Sequence, residues 1–306
     1  MPRFQQSQHA LGSEVILTLV GDDEPQIGGL FDTLWREIRL FEATFSRFQP
    51  DSELTHVNQQ AGLQTEVSIE FLRLIQQVKI MVKRSEGLYN PFILPGLQAA
   101  GYKGSWPNPA QHDESMDFSA RRTVQPEALV VGPNWIKIPA KSALDFGGIG
   151  KGYLLDQLSA QLQLAKLTGY WLSLGGDLIC AGKDTDDKLW RIGLQQADAL
   201  GEAAYIENSD GTALAVATSG ITKRRGSGWH HIIDPRTAKP AKTDVLTASV
   251  ALPDGVEADI FAKCLVIIGS QEATGFASRH KIKDFLLQSG PIENIGLRAA
   301  GSIIPV

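Results

Sequence analysis

Three short segments bring together residue types that do chemistry. The first is Gly147-Gly148-Ile149-Gly150-Lys151-Gly152, a glycine turn ahead of an apolar-periodic run. Glycines let a backbone approach a ligand closely, and a helix N-terminus offers free N–H groups to an anion such as a pyrophosphate. The run fits neither the Walker pattern nor G-x-G-x-x-G, so a tight strand-to-helix turn is an equal reading. Asp145, just ahead of it, is suited to accept from a ligand hydroxyl or to cap the turn. The second segment is Trp229-His230-His231-Ile232-Ile233-Asp234-Pro235-Arg236-Thr237. Neighbouring strand residues face opposite sides, so one of the paired histidines at most points into a pocket. A histidine there has the right pKa for a general base near neutrality, although a lone histidine is more often structural. The third is Glu257-Ala258-Asp259-Ile260-Phe261-Ala262-Lys263. Asp259 and Lys263 are four apart, which gives either an intrahelical ion pair worth about 0.3–0.5 kcal/mol or an acidic metal ligand.

These segments need elements to hold them. Alternation of Val15, Leu17 and Leu19 predicts a strand over Ser13–Val20, and helical spacing from Leu30 to Phe45 predicts a helix over Gly29–Phe45. Ser68 caps a second helix with Phe71, Leu72, Ile75, Val78 and Val82 inward, closed by Lys83, Arg84 and Gly87. Gly132-Pro133-Asn134 is a hairpin signal. The glycine turn opens a helix carrying Tyr153, Leu155, Leu158 and Leu162. Strands are expected near 170–182, 189–195, 213–218, 229–233, 245–251, 283–288 and 295–303, with a helix over Glu257–Ile268. Hairpins mixed with helices predict α+β architecture with mixed or antiparallel sheets.

Composition narrows the field. The chain has 306 residues, 43% hydrophobic and 21% charged, which excludes a mostly disordered chain. A net charge of −5 leaves no basic excess for nucleic acid. The length suits two domains or one large one. Two cysteines cannot build a metal cluster; Cys180 and Cys264 lie in apolar stretches and read as buried small hydrophobes rather than as a disulfide or a reactive thiol. The N-terminal run has no signal-peptide apolar core, and no stretch reaches the ~18 apolar residues of a membrane helix. A cytoplasmic location is the expectation.

Taken in order, the segments resemble the FAD:protein FMN transferase (ApbE-like) family. The resemblance runs from about Ala10 to Gly269: Ala10-Leu11-Gly12-Ser13; Phe45-Ser46-Arg47-Phe48 with Pro50-Asp51-Ser52-Glu53-Leu54 and Asn58; and Gly87-Leu88-Tyr89-Asn90-Pro91. It continues through Leu144-Asp145-Phe146-Gly147-Gly148-Ile149-Gly150-Lys151-Gly152-Tyr153, Leu174-Gly175-Gly176-Asp177, Thr218-Ser219-Gly220, His231 to Thr237, and Ala258-Asp259.

The resemblance implies an enzyme that binds FAD and Mg²⁺. Such an enzyme moves FMN to a Thr or Ser hydroxyl of an acceptor flavoprotein through a phosphoester, releasing AMP. It implies a T-fold-related architecture and one catalytic unit over 1–306; the segment 103–127, polar and broken by prolines, is expected to be a loop or surface excursion. By motif position Leu11, Phe48, Leu88, Tyr89, Asn90, Asp145, Lys151 and Ile233 line the FAD site. The Gly148 carbonyl and the Asp259 carboxylate fall at metal-binding positions, and His231 with Asp259 are the catalytic pair, His231 as base.

This chain departs from the family pattern at Leu11 (usually Met), Asn90 (usually Asp), Ala262 (Asp in some members) and Lys263 (usually a metal-ligating Thr). An ammonium beside Asp259 either takes the cation's place or swings out to solvent. A non-catalytic flavin carrier and an FAD pyrophosphatase remain as alternatives. A nicotinamide enzyme is disfavoured, because Leu162–Leu164 stand where an acidic residue would be needed.

Overall fold

The computed structural model describes residues 1–102, 124–198, 200–226 and 229–306. Most of the expected excursion at 103–127 therefore lies outside the described residues. Its last part holds Val124 and a 3-10 turn at Pro126–Ala128. The described α-helices are α1 (Glu24–Phe45), α2 (Glu53–Gln59), α3 (Ile69–Arg84), α4 (Leu94–Ala99), α5 (Gly150–Gln163), α6 (Gly255–Ile268) and α7 (Ser270–Arg279). The chain forms two compact units. The first comprises Met1–Arg39, Lys151–Thr222 and Thr243–Val306, and the second Leu40–Gly150 and Lys223–Lys242.

An antiparallel sheet organises the first unit. Its strand order is Arg3–Ala10, Ser13–Val20, Gly169–Leu174, Asp177–Gly182, Leu214–Gly220, Val245–Leu252, Asp284–Ser289 and Gly296–Ala300. Helix α6 packs on Leu214–Gly220 and Val245–Leu252. It is apolar nearly all round, as a helix covered on every side must be. Strands Arg191–Gln195 and Glu202–Glu207 pair in a smaller sheet, whose Trp190, Ile192, Leu194 and Ile206 share a core with Val20, Cys180 and Leu286. Both cysteines are free and buried, and burial pushes the Cys180 thiol up to about 12, which makes it inert.

In the second unit three rings hold the centre. Phe45, Phe71 and Phe146 lie 5.6–5.9 Å apart between centroids, two of the three contacts edge-on. Ser68 caps α3 by accepting from the Phe71 amide, as its sequence signal predicts. Val130–Val131 and Trp135–Lys137 form the expected hairpin, and Gln64–Glu66 pairs on its far side.

Several boundaries differ from expectation for identifiable reasons. Helix α1 begins five residues early, because the Asp23 carboxylate accepts from the Gln26 amide at 3.0 Å and starts the helix ahead of Gly28-Gly29. The expected strand at 170–182 is a hairpin, turned by Gly175 and Gly176 at φ +63 and +100. The strand expected at 229–233 is two separate pairings, Trp229–His230 with Arg225–Gly226 and Ile233–Asp234 with Lys239–Pro240. Strand Arg3–Ala10 is largely exposed and polar, so it carries no alternation to betray it.

Candidate functional site

Each unit assembles its own group of chemical residues. In the second unit the glycine turn is fixed from several directions. Phe146 is held in the ring cluster, and its carbonyl accepts from the Gly150 amide at 2.7 Å, opening α5. Asp145 caps the turn, Oδ1 accepting from the Gly147 amide at 2.9 Å. Its Oδ2 lies 2.8 Å from Nε of Arg47, in an ion pair whose side chains are only 9% and 7% exposed. The carboxylate is thus committed to the turn and to Arg47, and Gly148 sits buried in the turn.

Arg47 is the hub that joins the other residues. Its guanidinium lies 4.1 Å from the Phe48 ring centroid and 5.0 Å from that of Tyr102. Nη2 of Arg47 is buried without a hydrogen-bond partner among the described residues. Phe48 stays 43% exposed. Tyr102 packs edge-on to Phe48 at 6.4 Å and lies 6.3 Å from the His231 ring. Tyr102, Trp229 and Ile233 close a small core with Leu97 and Ala100.

The paired histidines separate as the strand argument requires. His230 donates from Nε2 to the Ala241 carbonyl at 3.0 Å, and burial lowers its pKa, so it is the structural member. His231 donates from Nδ1 to the Arg224 carbonyl at 3.2 Å. In the neutral ring that fixes the lone pair on Nε2.

The Leu88-Tyr89-Asn90 segment is buried at the mouth of a short 3-10 turn, Pro91–Ile93. Asn90 caps it, Oδ1 accepting from the Phe92 amide and Nδ2 donating to the Val124 carbonyl, both at 2.9 Å. A carboxylate cannot donate to that carbonyl, which accounts for an amide at this position.

In the first unit α5 and α6 meet through glycine. A Cβ on Gly152 would lie 2.3 Å from the Gly255 carbonyl oxygen, so only glycine allows the approach. Asp156 of α5 accepts from the Gly255 and Val256 amides at 2.7 and 3.0 Å, and Asp259 of α6 accepts from the Gly152 amide at 3.4 Å. The other Asp259 oxygen, Oδ1, is bound by the Lys263 ammonium, which also donates to the Asp259 carbonyl at 3.2 Å. Lys151 pairs with the buried Asp177, whose Oδ1 accepts from the Thr218 amide at 3.0 Å. Leu11 stands at the first turn position of the hairpin Ala10 to Ser13, at φ 56. A leucine there costs about 1–2 kcal/mol.

A family model described as the ApbE family matches residues 11–286. The chain belongs to the ApbE family. Among curated relatives, the FAD:protein FMN transferase of Haemophilus influenzae is 24% identical over 257 residues, spanning 80% of this chain and 74% of the relative. That of Klebsiella pneumoniae is 26% identical over 281 residues, spanning 88% and 84%. The flavin transferase ApbE of Vibrio cholerae shares the fold at a TM-score of 0.84 and 22% identity, over 98% of each chain. An ApbE protein of Thermotoga maritima does so at 0.84 and 20% identity, over 98% and 97%.

Within this ApbE-family chain, Phe48, Asp145, His231 and Ile233 are linked through Arg47 and Tyr102. Tyr102 carries no sequence signal beyond an aromatic residue ahead of a polar run. Asp156 likewise gains significance from what it touches, and Asp177, part of the Leu174–Asp177 motif, gains its role from Lys151 and the Thr218 amide. Among the described residues no group of three or more His, Cys, Asp or Glu is arranged to hold a metal ion. Asp259 spends one oxygen on Lys263 and offers the other to an amide. This donor set does not fit a divalent cation. No described helix is long and apolar enough to cross a membrane.

Proposed function

We propose that this chain is an FAD:protein FMN transferase. The observation that carries the reading is the family match over residues 11–286, together with curated relatives that bear that one name. The acceptor is a flavoprotein modified on a Thr or Ser hydroxyl.

The second unit supplies flavin recognition. Phe48 offers exposed aromatic surface for a planar ring system, braced from behind by the Arg47 guanidinium and the buried Tyr102. The buried donor Nη2 of Arg47 is suited to a polar ligand atom, since an unsatisfied buried donor is costly. Leu88, Tyr89 and Ile233 give apolar walls. Asn90 and Asp145 act by holding the chain around the site, each through its own cap. In the first unit, the strained Leu11 fits a residue kept for contact rather than for turn stability. Lys151 contributes positive charge for the pyrophosphate while held on Asp177.

The reaction then needs few parts. The acceptor hydroxyl oxygen attacks the phosphorus of the FMN half, the bond from that phosphorus to the bridging oxygen breaks, and AMP leaves with the bridging oxygen. The hydroxyl proton passes to Nε2 of His231, whose Nδ1–H is anchored on the Arg224 carbonyl. The Mg²⁺ implied by the family resemblance takes no part in this scheme, because the residues around Asp259 do not fit it.

The test is incubation with FAD and a co-expressed acceptor flavoprotein, read by peptide mass spectrometry and nucleotide chromatography. FMN esterified to one Thr or Ser with stoichiometric AMP supports the proposal. Free FMN with AMP, or FAD bound intact, overturns it in favour of a pyrophosphatase or a carrier.

A further inference from the structure

Asp259 is 1% exposed on a helix lined with Ile260, Phe261, Leu265 and Val266. A carboxylate in such surroundings either takes up a proton or is held by a cation. Lys263 supplies it from within the same helix, one turn on, with its own side chain 20% exposed. An ordinary solvent-facing pair at this spacing is worth a few tenths of a kcal/mol and constrains nothing. This pair is different in kind. A buried ion pair is usually no more stable than the apolar residues that would replace it, so its persistence in an apolar helix calls for a use.

We infer that Lys263 is a built-in cation: its ammonium occupies the place on Asp259 that the family resemblance gives to a divalent metal, and it neutralises charge on the FAD pyrophosphate. The inference rests on the transferase reading for its substrate. The surroundings are consistent with that use. The Lys263 ammonium is steered by two oxygens of Asp259, and Lys151 stands next to Gly152, whose amide meets the same carboxylate. The ammonium has three N–H groups and donates to two Asp259 oxygens, and the Lys263 side chain is 20% exposed. A single ammonium carries half the charge of Mg²⁺, but it is permanently tethered and needs no ion from solution.

Two measurements decide it. The first is Mn²⁺ binding by electron paramagnetic resonance, in wild type, Asp259→Asn, Lys263→Thr and the double variant Lys263→Thr/Asp259→Asn, with no turnover required. Wild type should bind no Mn²⁺ through Asp259, Lys263→Thr should gain one ion, and the double variant should lose it. Mn²⁺ bound by wild type and abolished by Asp259→Asn overturns the inference, as does a Lys263→Thr protein that folds and gains no ion. The second is FMN transfer with EDTA against MgCl₂. Wild type should run at the same rate in both, Lys263→Arg should stay insensitive to EDTA, and Lys263→Thr should fall by about 10²-fold in EDTA and recover with Mg²⁺. Wild-type transfer that collapses in EDTA and returns with Mg²⁺ overturns the inference. Absence of transfer under every condition refutes the transferase reading instead, and the Mn²⁺ result still stands.

Discussion

Asp156 and Asp259 hold mirrored positions: each accepts a backbone amide from the first turn of the other's helix. The exchange satisfies N–H groups that α5 and α6 cannot satisfy internally, and it places both carboxylates against helix N-termini. The two are then balanced differently. Asp259 has the Lys263 ammonium, whereas Asp156 has the carboxylates of Asp254 and Glu257 nearby.

Asp156 is consequently pushed up from 3.8 to about 7, first by burial and then by the Asp254 charge, with its amide hydrogen bonds opposing. The folded protein holds this proton more tightly than the unfolded chain. The stability tied to it is fully present below about pH 4 and is lost as pH rises through about 7. Asp156→Asn removes that dependence, at a constant cost for the amide left without an acceptor. Urea unfolding should show wild type losing about 3 kcal/mol relative to Asp156→Asn between about pH 5 and about pH 8. A pH-independent difference would refute the assignment.

The Arg47–Asp145 pair is buried on both sides, so removing one partner strands the other. Arg47→Met and Asp145→Asn should each destabilise by about 3–5 kcal/mol, and the double variant by clearly less than their sum. Additive losses in a urea double-mutant cycle would mean that the two side chains act separately.

His231→Ala removes the proposed base without touching Phe48 or Arg47. FMN transfer should fall by about 10²–10⁴-fold while FAD affinity, followed by fluorescence titration, stays within error. His230→Ala should instead lower the melting temperature, since His230 is tied to the Ala241 carbonyl. Equal kinetic losses from the two variants would argue against a catalytic His231.

Leu11→Asn relieves a left-handed leucine in a two-residue turn that favours Asn-Gly. The melting temperature should rise, corresponding to about 1 kcal/mol, and the KM for FAD should increase. Gain in stability with unchanged KM would leave Leu11 with no part in binding.

The α+β class, the capped helix α3, the helix carrying Asp259 and the ApbE resemblance were all legible in the sequence, because each rests on local spacing or on short ordered motifs. Those signals are local, since a cap, a period or a glycine turn is complete within a few residues. Other features are not local. Arg47 sits beside Phe48 in sequence, yet its value comes from Asp145, nearly a hundred residues on, and from Tyr102. Gly152 reads as one more glycine until its close approach to Gly255 explains it.

The spacing of Asp259 and Lys263 allowed an exposed ion pair, a metal ligand or a lysine turned to solvent. Burial and contact decide among them: Asp259 is shut inside an apolar helix, and the ammonium of the lysine one turn away sits on its Oδ1. The sequence alone determined the residues and their order along the chain. Only the tertiary structure decided how much water each charge keeps, and that quantity sets whether Asp259 is held by Lys263 or left open to a metal.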